Sequence, residues 1–238
     1  MRIRTQNSVS VGNVLDEKSR QFSRERDFNR VWYSYAKKLV INSGISKGYA
    51  LDVGCGVGEF MSYLSELGFN VIGIDKNPDQ IRRIEELGFN AKLVNLENPL
   101  PFEKESFQLI ACLEVIEHVN FAESLLLELS RILTPEGCML ISTPNFSFWR
   151  NRITFIFGNN PANEGIHLRF WNASILENKL SEAGFLIKRR MSISPVTGLN
   201  FISRLLGYRD NFFVVPRLLE NLLAYDLIYQ CKKKPRPS

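Results

Sequence analysis

Three glycines at alternate positions, Gly54, Gly56 and Gly58, stand between the apolar run Tyr49-Ala50-Leu51-Asp52-Val53 and a helically periodic segment that begins at Phe60. Lacking Cβ atoms, they allow a sharp turn and a close approach of backbone to ligand. Asp75 ends the next apolar run, about twenty residues beyond the turn, where a carboxylate can accept hydrogen bonds from ribose hydroxyls. Further on, Glu114, Glu117 and His118 fall at i, i+3 and i+4. On a helical turn these three side chains share one face, and two carboxylates with an imidazole can ligate a divalent cation. The other histidine of the chain, His167, follows Glu164 and Gly165. It would complete a metal site of Glu114, Glu117, His118 and His167 for Mg²⁺ or Mn²⁺. Without a metal, His118 reads as a general base, with Glu117 and His167 as its catalytic companions.

What sits in the glycine turn can be narrowed. No Gly-Lys-Ser/Thr follows it, which excludes a P-loop. Glu59 lies directly behind it, and a carboxylate there disfavours a pyrophosphate at the helix start. A phosphate-free cofactor carrying an amino acid meets no such objection.

These residues need elements to hold them. Residues 49–53 predict a first strand and 58–67 a helix. A second strand follows over 70–74, then a helix opened by Asn77 as N-cap and Pro78 at the first helical position. Further strands are expected over 91–94, 107–113 and 138–142, with a helix over 121–133 between the last two. Alternating strands and helices imply βαβ units and a parallel sheet covered on both faces. The candidate residues then stand at the carboxyl ends of strands, where open α/β sheets bind ligands. Ahead of this series, residues 20–41 carry apolar side chains at helical spacing, a helix expected to pack on the sheet edge or to cover the cofactor site. Later, residues 171–183 predict a helix, 185–191 and 225–231 a pair of antiparallel strands, and 197–223 one or two helices broken near Gly207 and Pro216.

The chain has 238 residues, 45% of them hydrophobic, and a net charge of +5. This suits one large domain with an elaborated cap and excludes a disordered chain. Apolar runs are too short to span a bilayer, and the first residues lack the apolar core of a secretory signal. Cys55, Cys112, Cys138 and Cys231 form no CxxC pair and read as reduced structural thiols of a cytoplasmic protein. Residues 146–158 are rich in aromatics and carry Arg150 and Arg152. They read as a cap helix that packs against 197–223 and encloses an apolar acceptor; peripheral contact with a membrane surface is the other reading.

Leu51-Asp52-Val53-Gly54-Cys55-Gly56-Val57-Gly58 resembles motif I of the class I S-adenosylmethionine (SAM)-dependent methyltransferases. The family pattern continues through Ile72-Gly73-Ile74-Asp75, Leu100-Pro101-Phe102, Glu114-Val115-Ile116-Glu117-His118-Val119, Leu133-Thr134-Pro135-Glu136-Gly137 and Ala183-Gly184-Phe185. The resemblance implies a Rossmann-like α/β fold with a seven-stranded sheet of order 3-2-1-4-5-7-6, strand 7 antiparallel. It implies an N-terminal arm and helix over 1–44 and a methyltransferase domain over 45–238, with cap insertions at about 146–170 and 195–223. Cofactor contacts then fall to Asp52, Gly54, Cys55, Gly56 and Gly58 in the turn and to Asp75 with Lys76 at the ribose. Asn95 and Leu96 would flank the adenine, and Leu113 the methionine. The family usually has Asp at positions 95 and 108, where this chain has Asn95 and Gln108. Glu-x-x-Glu-His, Ser142-Thr143-Pro144-Asn145, Gly165-Ile166-His167 and Thr197-Gly198-Leu199 resemble the ubiquinone-biosynthesis O-methyltransferases. The expected reaction is O-methylation of a small aromatic or apolar acceptor, metal-assisted if the four ligands converge. The alternatives are 2′-O-methylation at an RNA 3′ terminus and a non-catalytic SAM-binding scaffold. No RNA-binding module or basic stripe is visible, so nucleic acid is not the expected partner. The oligomeric state is left open.

Overall fold

The computed structural model describes residues 31–158, 168–195 and 212–235. Helix α1 (Val31–Ile41) leads into β1 (Gly48–Val53), α2 (Glu59–Glu66), β2 (Phe69–Asp75), α3 (Pro78–Glu86), β3 (Asn90–Leu93) and β4 (Phe107–Leu113). After a 3₁₀ turn over Ile116–His118 come α4 (Ala122–Ile132), β5 (Leu133–Pro144), α5 (Trp149–Ile156) and α6 (Ala173–Glu182). The remaining elements are β6 (Phe185–Arg190), β7 (Ile193–Pro195), β8 (Phe212–Val214), a 3₁₀ turn over Arg217–Leu219, α7 (Glu220–Leu223) and β9 (Asp226–Lys233).

Among the described residues, nine strands form one sheet in the order β3-β2-β1-β4-β5-β9-β7-β8, with β6 also paired to β9. β1 to β5 are mutually parallel, and β9 is antiparallel to β5. The expected order is therefore present, with β9 as the seventh strand and β6 as the sixth. The two extra strands have a local origin. Past Arg190 the chain stays alongside β9: Met191 N–H donates to the Ile228 carbonyl at 2.8 Å, and Ile193 pairs with Asp226, so β7 follows β6 along the same partner. β8 then adds to the outer edge of β7. Residues 212–214 are thus strand, where helix was expected. Residues 197–211 lie outside the described residues, as does the arm before Val31.

The two faces of the sheet are covered separately. One carries α4 and α6, whose Leu125, Leu126, Leu129, Leu176 and Leu180 pack on Ile110, Met139 and Ile141. The other carries α1 and α2, with Tyr35, Ala36, Leu39, Phe60 and Leu64 against Leu109, Ala111 and Leu140. Asn77 caps α3 as its sequence predicts, accepting from Asp79 N–H at 2.9 Å, with Pro78 in the first turn. Gln108 accepts from Tyr49 N–H at 2.6 Å, so the departure at 108 is used in holding the start of β1. β5 spans Thr134-Pro135-Glu136-Gly137, expected as a break, but its register against β4 shifts there: Leu133 pairs with Phe107 and Cys138 with Leu109, so the stretch is an irregularity ahead of the half that is paired on both sides.

Candidate active site

The glycine turn is built at the carboxyl end of β1. Gly54 and Cys55 both donate to the Ile74 carbonyl, at 2.8 and 3.0 Å, which clamps the turn to β2. Gly54, Gly56 and Gly58 have φ of 67°, 53° and 83°. A Cβ on Gly54 would lie 2.5 Å from Val115 Cγ2, so the loop after β4 is seated directly on the turn. A Cβ on Gly56 would meet nothing within 4 Å and would project into open space. Asp75 is fixed by two backbone amides: Oδ2 accepts from Gly56 at 3.0 Å and Oδ1 from Asn77 at 2.9 Å. Lys76 is exposed beyond it.

Above the turn is a cavity of about 280 Å³, lined by Tyr33, Asp52, Gly54, Cys55, Gly56, Phe60, Leu113 and Glu114. It fits the cationic amino-acid part of SAM: the glycines leave room at the backbone, and Asp52 and Glu114 supply carboxylates. The Cys55 thiol is pushed far up by burial and then by the Asp52 and Asp75 carboxylates, so it is a protonated wall of the cavity rather than a nucleophile. Asn95 and Leu96 lie beyond β3, where Asn95 Oδ1 accepts from Glu97 N–H at 3.1 Å.

Tyr33 and Phe60 are the cavity residues that sequence reasoning missed. Their rings stack nearly parallel, with centroids 5.4 Å apart. Phe60 was readable only as the first apolar residue of α2. Tyr33 stands off the buried stripe of α1, and periodicity marks burial rather than a half-buried ring that fronts a cavity.

The Glu114-Glu117-His118 cluster does not share a helical face. Glu114 precedes the helical turn, in left-handed conformation at φ 57°. The turn over Ile116–His118 is 3₁₀, so adjacent side chains diverge by a third of a revolution. Glu114 N–H donates to the Ser142 carbonyl at 3.2 Å and to Ser142 Oγ at 3.1 Å. In return, Ser142 Oγ–H donates to Glu114 Oε1 at 2.7 Å. Glu117 instead turns inward and accepts from Thr143 Oγ1 at 3.0 Å. Consecutive strand residues point to opposite faces, so Ser142 and Thr143 pull the two carboxylates apart. His118 faces outward, its side chain 42% exposed against 3% for Glu117, with Nε2 3.8 Å from Glu117 Oε1. Among the described residues no three His, Cys, Asp or Glu side chains converge to hold a metal ion. His167 lies outside the described residues. The expected four-ligand set is thus not assembled by its described members.

Burial raises the Glu117 carboxyl to about 7, with nearby Asp226 adding to the effect and the Thr143 hydrogen bond opposing it. The Glu117 carbonyl accepts from both Leu168 N–H (2.9 Å) and Arg169 N–H (3.1 Å), drawing the segment ahead of α6 against this loop. Phe170, next in that segment, packs 4.2 Å from Phe146, which meets Phe155 of α5 at 5.4 Å.

A family model described as a methyltransferase domain matches residues 25–188. The chain belongs to this methyltransferase family. The ubiquinone biosynthesis O-methyltransferase of Hydrogenovibrio crunogenus is 27% identical over 232 residues, 92% of this chain and 90% of that one. Its counterpart in Rickettsia canadensis is 32% identical over 170 residues, 67% of this chain and 71% of that one. In fold, the methyltransferase is similar to a SAM-dependent methyltransferase from Archaeoglobus fulgidus, with a TM-score of 0.64 at 19% identity, covering 90% of this chain and 98% of that one. The protein is a SAM-dependent methyltransferase. No helix among the described residues is long and apolar enough to cross a membrane.

Proposed function

We propose that this methyltransferase transfers the SAM methyl group to a hydroxyl oxygen on a small aromatic or apolar acceptor. The observation that carries the reading is the tether from the Glu117 carbonyl to residues 168–169, which brings the Phe146, Phe155 and Phe170 rings beside the loop that holds His118. An aromatic acceptor can stack on such rings. The names of the relatives above support oxygen as the methylated atom.

When bound, SAM supplies a sulfonium-activated methyl group that passes to the acceptor oxygen by in-line displacement. The chain's part is positioning. Gly54, Cys55 and Gly56 present backbone to the methionine and ribose, Asp75 takes the ribose hydroxyls, and Asn95 with Leu96 borders the adenine. Leu113 walls the methionine side. His118, outward and beside Glu117, takes the hydroxyl proton on its imidazole as the oxygen–carbon bond forms. No step is routed through a metal, because the described donors diverge. The exposed Ile156 and Phe157 at the end of α5, 79% and 76% accessible, with Arg150 and Arg152 behind them, support contact with an anionic membrane surface that would deliver an apolar acceptor.

The test is SAM-dependent methylation of phenols, catechols, sugars, lipids and short RNA, with and without EDTA. Phenol or catechol turnover that survives EDTA is expected. Methylation of sugars or RNA with phenols untouched overturns the acceptor class, and loss of turnover in EDTA overturns metal-free proton transfer. Flotation with anionic liposomes tests the membrane reading, which fails if the protein stays at the bottom of the gradient.

A further inference from the structure

Asn120 is an exposed loop residue whose N–H and C=O are both taken by distant side chains. Glu97, in the loop after β3, accepts the Asn120 N–H on Oε1 at 2.8 Å and the Asn120 Nδ2 at 3.0 Å. Its other oxygen accepts the Phe121 N–H at 3.0 Å. Burial opposes the Glu97 charge, but these hydrogen bonds and the nearby Arg169 cation outweigh it and hold the carboxyl below its ordinary value. From the other side, Arg169 donates to the Asn120 carbonyl through Nε at 3.0 Å and through Nη2, while Nη1 reaches Glu123 Oε1 at 2.9 Å. The helix that follows does not account for Glu97. α4 begins at Ala122 with Phe121 as its N-cap, so the amides its first turn leaves open start at Ala122, and Glu97 binds ahead of them. The Arg169 N–H adds a further fixed point, donating to the Glu117 carbonyl at 3.1 Å. One residue thus holds the carbonyls of Glu117 and Asn120, and His118 lies between them with Val119 buried beside it.

We propose that Arg169 and Glu97 are positioning residues for His118, gripping its loop from the acceptor side and from the loop after β3. The inference rests on the assignment of His118 as the group that takes the acceptor's proton. Proton transfer in step with in-line displacement needs the imidazole in one place, and a displacement of about 1 Å can cost on the order of a hundredfold in rate. Arginine suits the task because its planar fork meets several acceptors at fixed angles, where lysine offers a single point charge.

Two conservative variants test it. Arg169→Lys keeps the positive charge and loses the fork; Glu97→Gln keeps one acceptor oxygen and loses the other. The chain has two histidines, so the His118 imidazole signals are identified in NMR spectra by their loss in His118→Gln. Both conservative variants are expected to move those signals. They are expected to lower kcat for methyl transfer to catechol about tenfold, with the affinity for S-adenosylhomocysteine held within about twofold. His118→Gln alone should lower kcat about a hundredfold, and adding Arg169→Lys to it should lower it no further, because both changes act through one group. Losses that multiply in the double variant overturn the proposal, as do unmoved imidazole signals. A matching loss of S-adenosylhomocysteine affinity makes the pair structural and overturns it too. Wild-type turnover in His118→Gln, or a wild type inert toward catechol, would instead strike the proton-transfer or acceptor reading, and the imidazole signals alone would then decide whether the two residues position His118.

Discussion

Glu114 and Glu117, three residues apart, lie on opposite faces of the sheet, each drawn to its face by a hydroxyl of β5: Ser142 for the first, Thr143 for the second. Alternation along an extended strand produces this division, and it follows directly from the pairing of Leu113 with Ser142 at the end of β4. A helix in place of the 3₁₀ turn would have gathered the same residues into one donor cluster. Among the described residues the local backbone therefore separates the two carboxylates.

The turn glycines should separate stability from binding. Gly54→Ala combines a left-handed φ with a contact to Val115 that has no room to relax, and is expected to cost about 2–4 kcal/mol. Gly56→Ala meets no atom within 4 Å, so only the backbone term of about 1 kcal/mol applies. Its methyl group nevertheless occupies ligand space. Thermal melts should rank Gly54→Ala far below Gly56→Ala, whereas S-adenosylhomocysteine titration should show lost affinity in both.

Glu117 should give a pH signature in stability. Its folded value, about 7, lies above the 4.5 of an exposed glutamate because burial disfavours the charge. The neutral form is favoured by folding, so the contribution is present below the unfolded value and is lost as pH rises through 7. Glu117→Gln does not titrate and keeps an acceptor for Thr143. Its melting temperature should gain on that of the wild type between about pH 5 and pH 8. A constant gap across that range would show that Glu117 is already ionised at low pH.

Tyr33 should act through its ring. Tyr33→Phe keeps the stack on Phe60 and is expected to hold cofactor affinity within about twofold, while Tyr33→Ala opens the cavity wall and should weaken it about tenfold, since an aromatic contact contributes ~0.5–1.5 kcal/mol beyond its buried area. Quenching of intrinsic fluorescence by S-adenosylhomocysteine measures both variants.

Asn145 should prove structural despite its place in a motif. Buried at the end of β5, it donates to the carbonyls of Glu220 (3.0 Å) and Ala224 (2.7 Å) and accepts from Ser147 N–H at 3.1 Å. Asn145→Ala leaves these buried groups without partners and is expected to cost about 2–4 kcal/mol. A urea titration would show the midpoint falling with the slope unchanged. A variant as stable as the wild type, but inactive, would move Asn145 into the chemistry.

The parallel half of the fold was legible because each strand there is short, apolar and punctuated by glycine or an acidic tip, as in Leu51–Gly58 and Ile72–Asp75. The cap N-terminal to α3 was readable to the residue, since Asn77-Pro78 has one economical conformation. The Glu114–His118 stretch misled because i, i+3, i+4 spacing carries meaning only on an α-helix, and the sequence does not announce that Glu114 adopts φ 57°. Tyr33 was hidden for another reason: its neighbour Phe60 is 27 residues away, and single-sequence periodicity contains no pairing across that distance. The extra strands β7 and β8 were missed because three-residue strands have too little alternation to read.

Strand β9 is last among the described strands in the chain, yet it sits inside the sheet, between β5 and β6. Its Gln230 also reaches back to α1, donating to the Leu39 carbonyl at 3.3 Å. During synthesis every other layer must therefore wait. β5 emerges with an open hydrogen-bonding edge, and β6 has no strand to pair with until residues 226–233 arrive. The helix that carries Tyr33 likewise gains its last anchor only then. Nascent chains stalled before residue 226 should expose the β5 edge and need a chaperone's cover, and the cofactor pocket should close late, on a timescale set by long-range strand insertion rather than by the local βα units that build most of its floor.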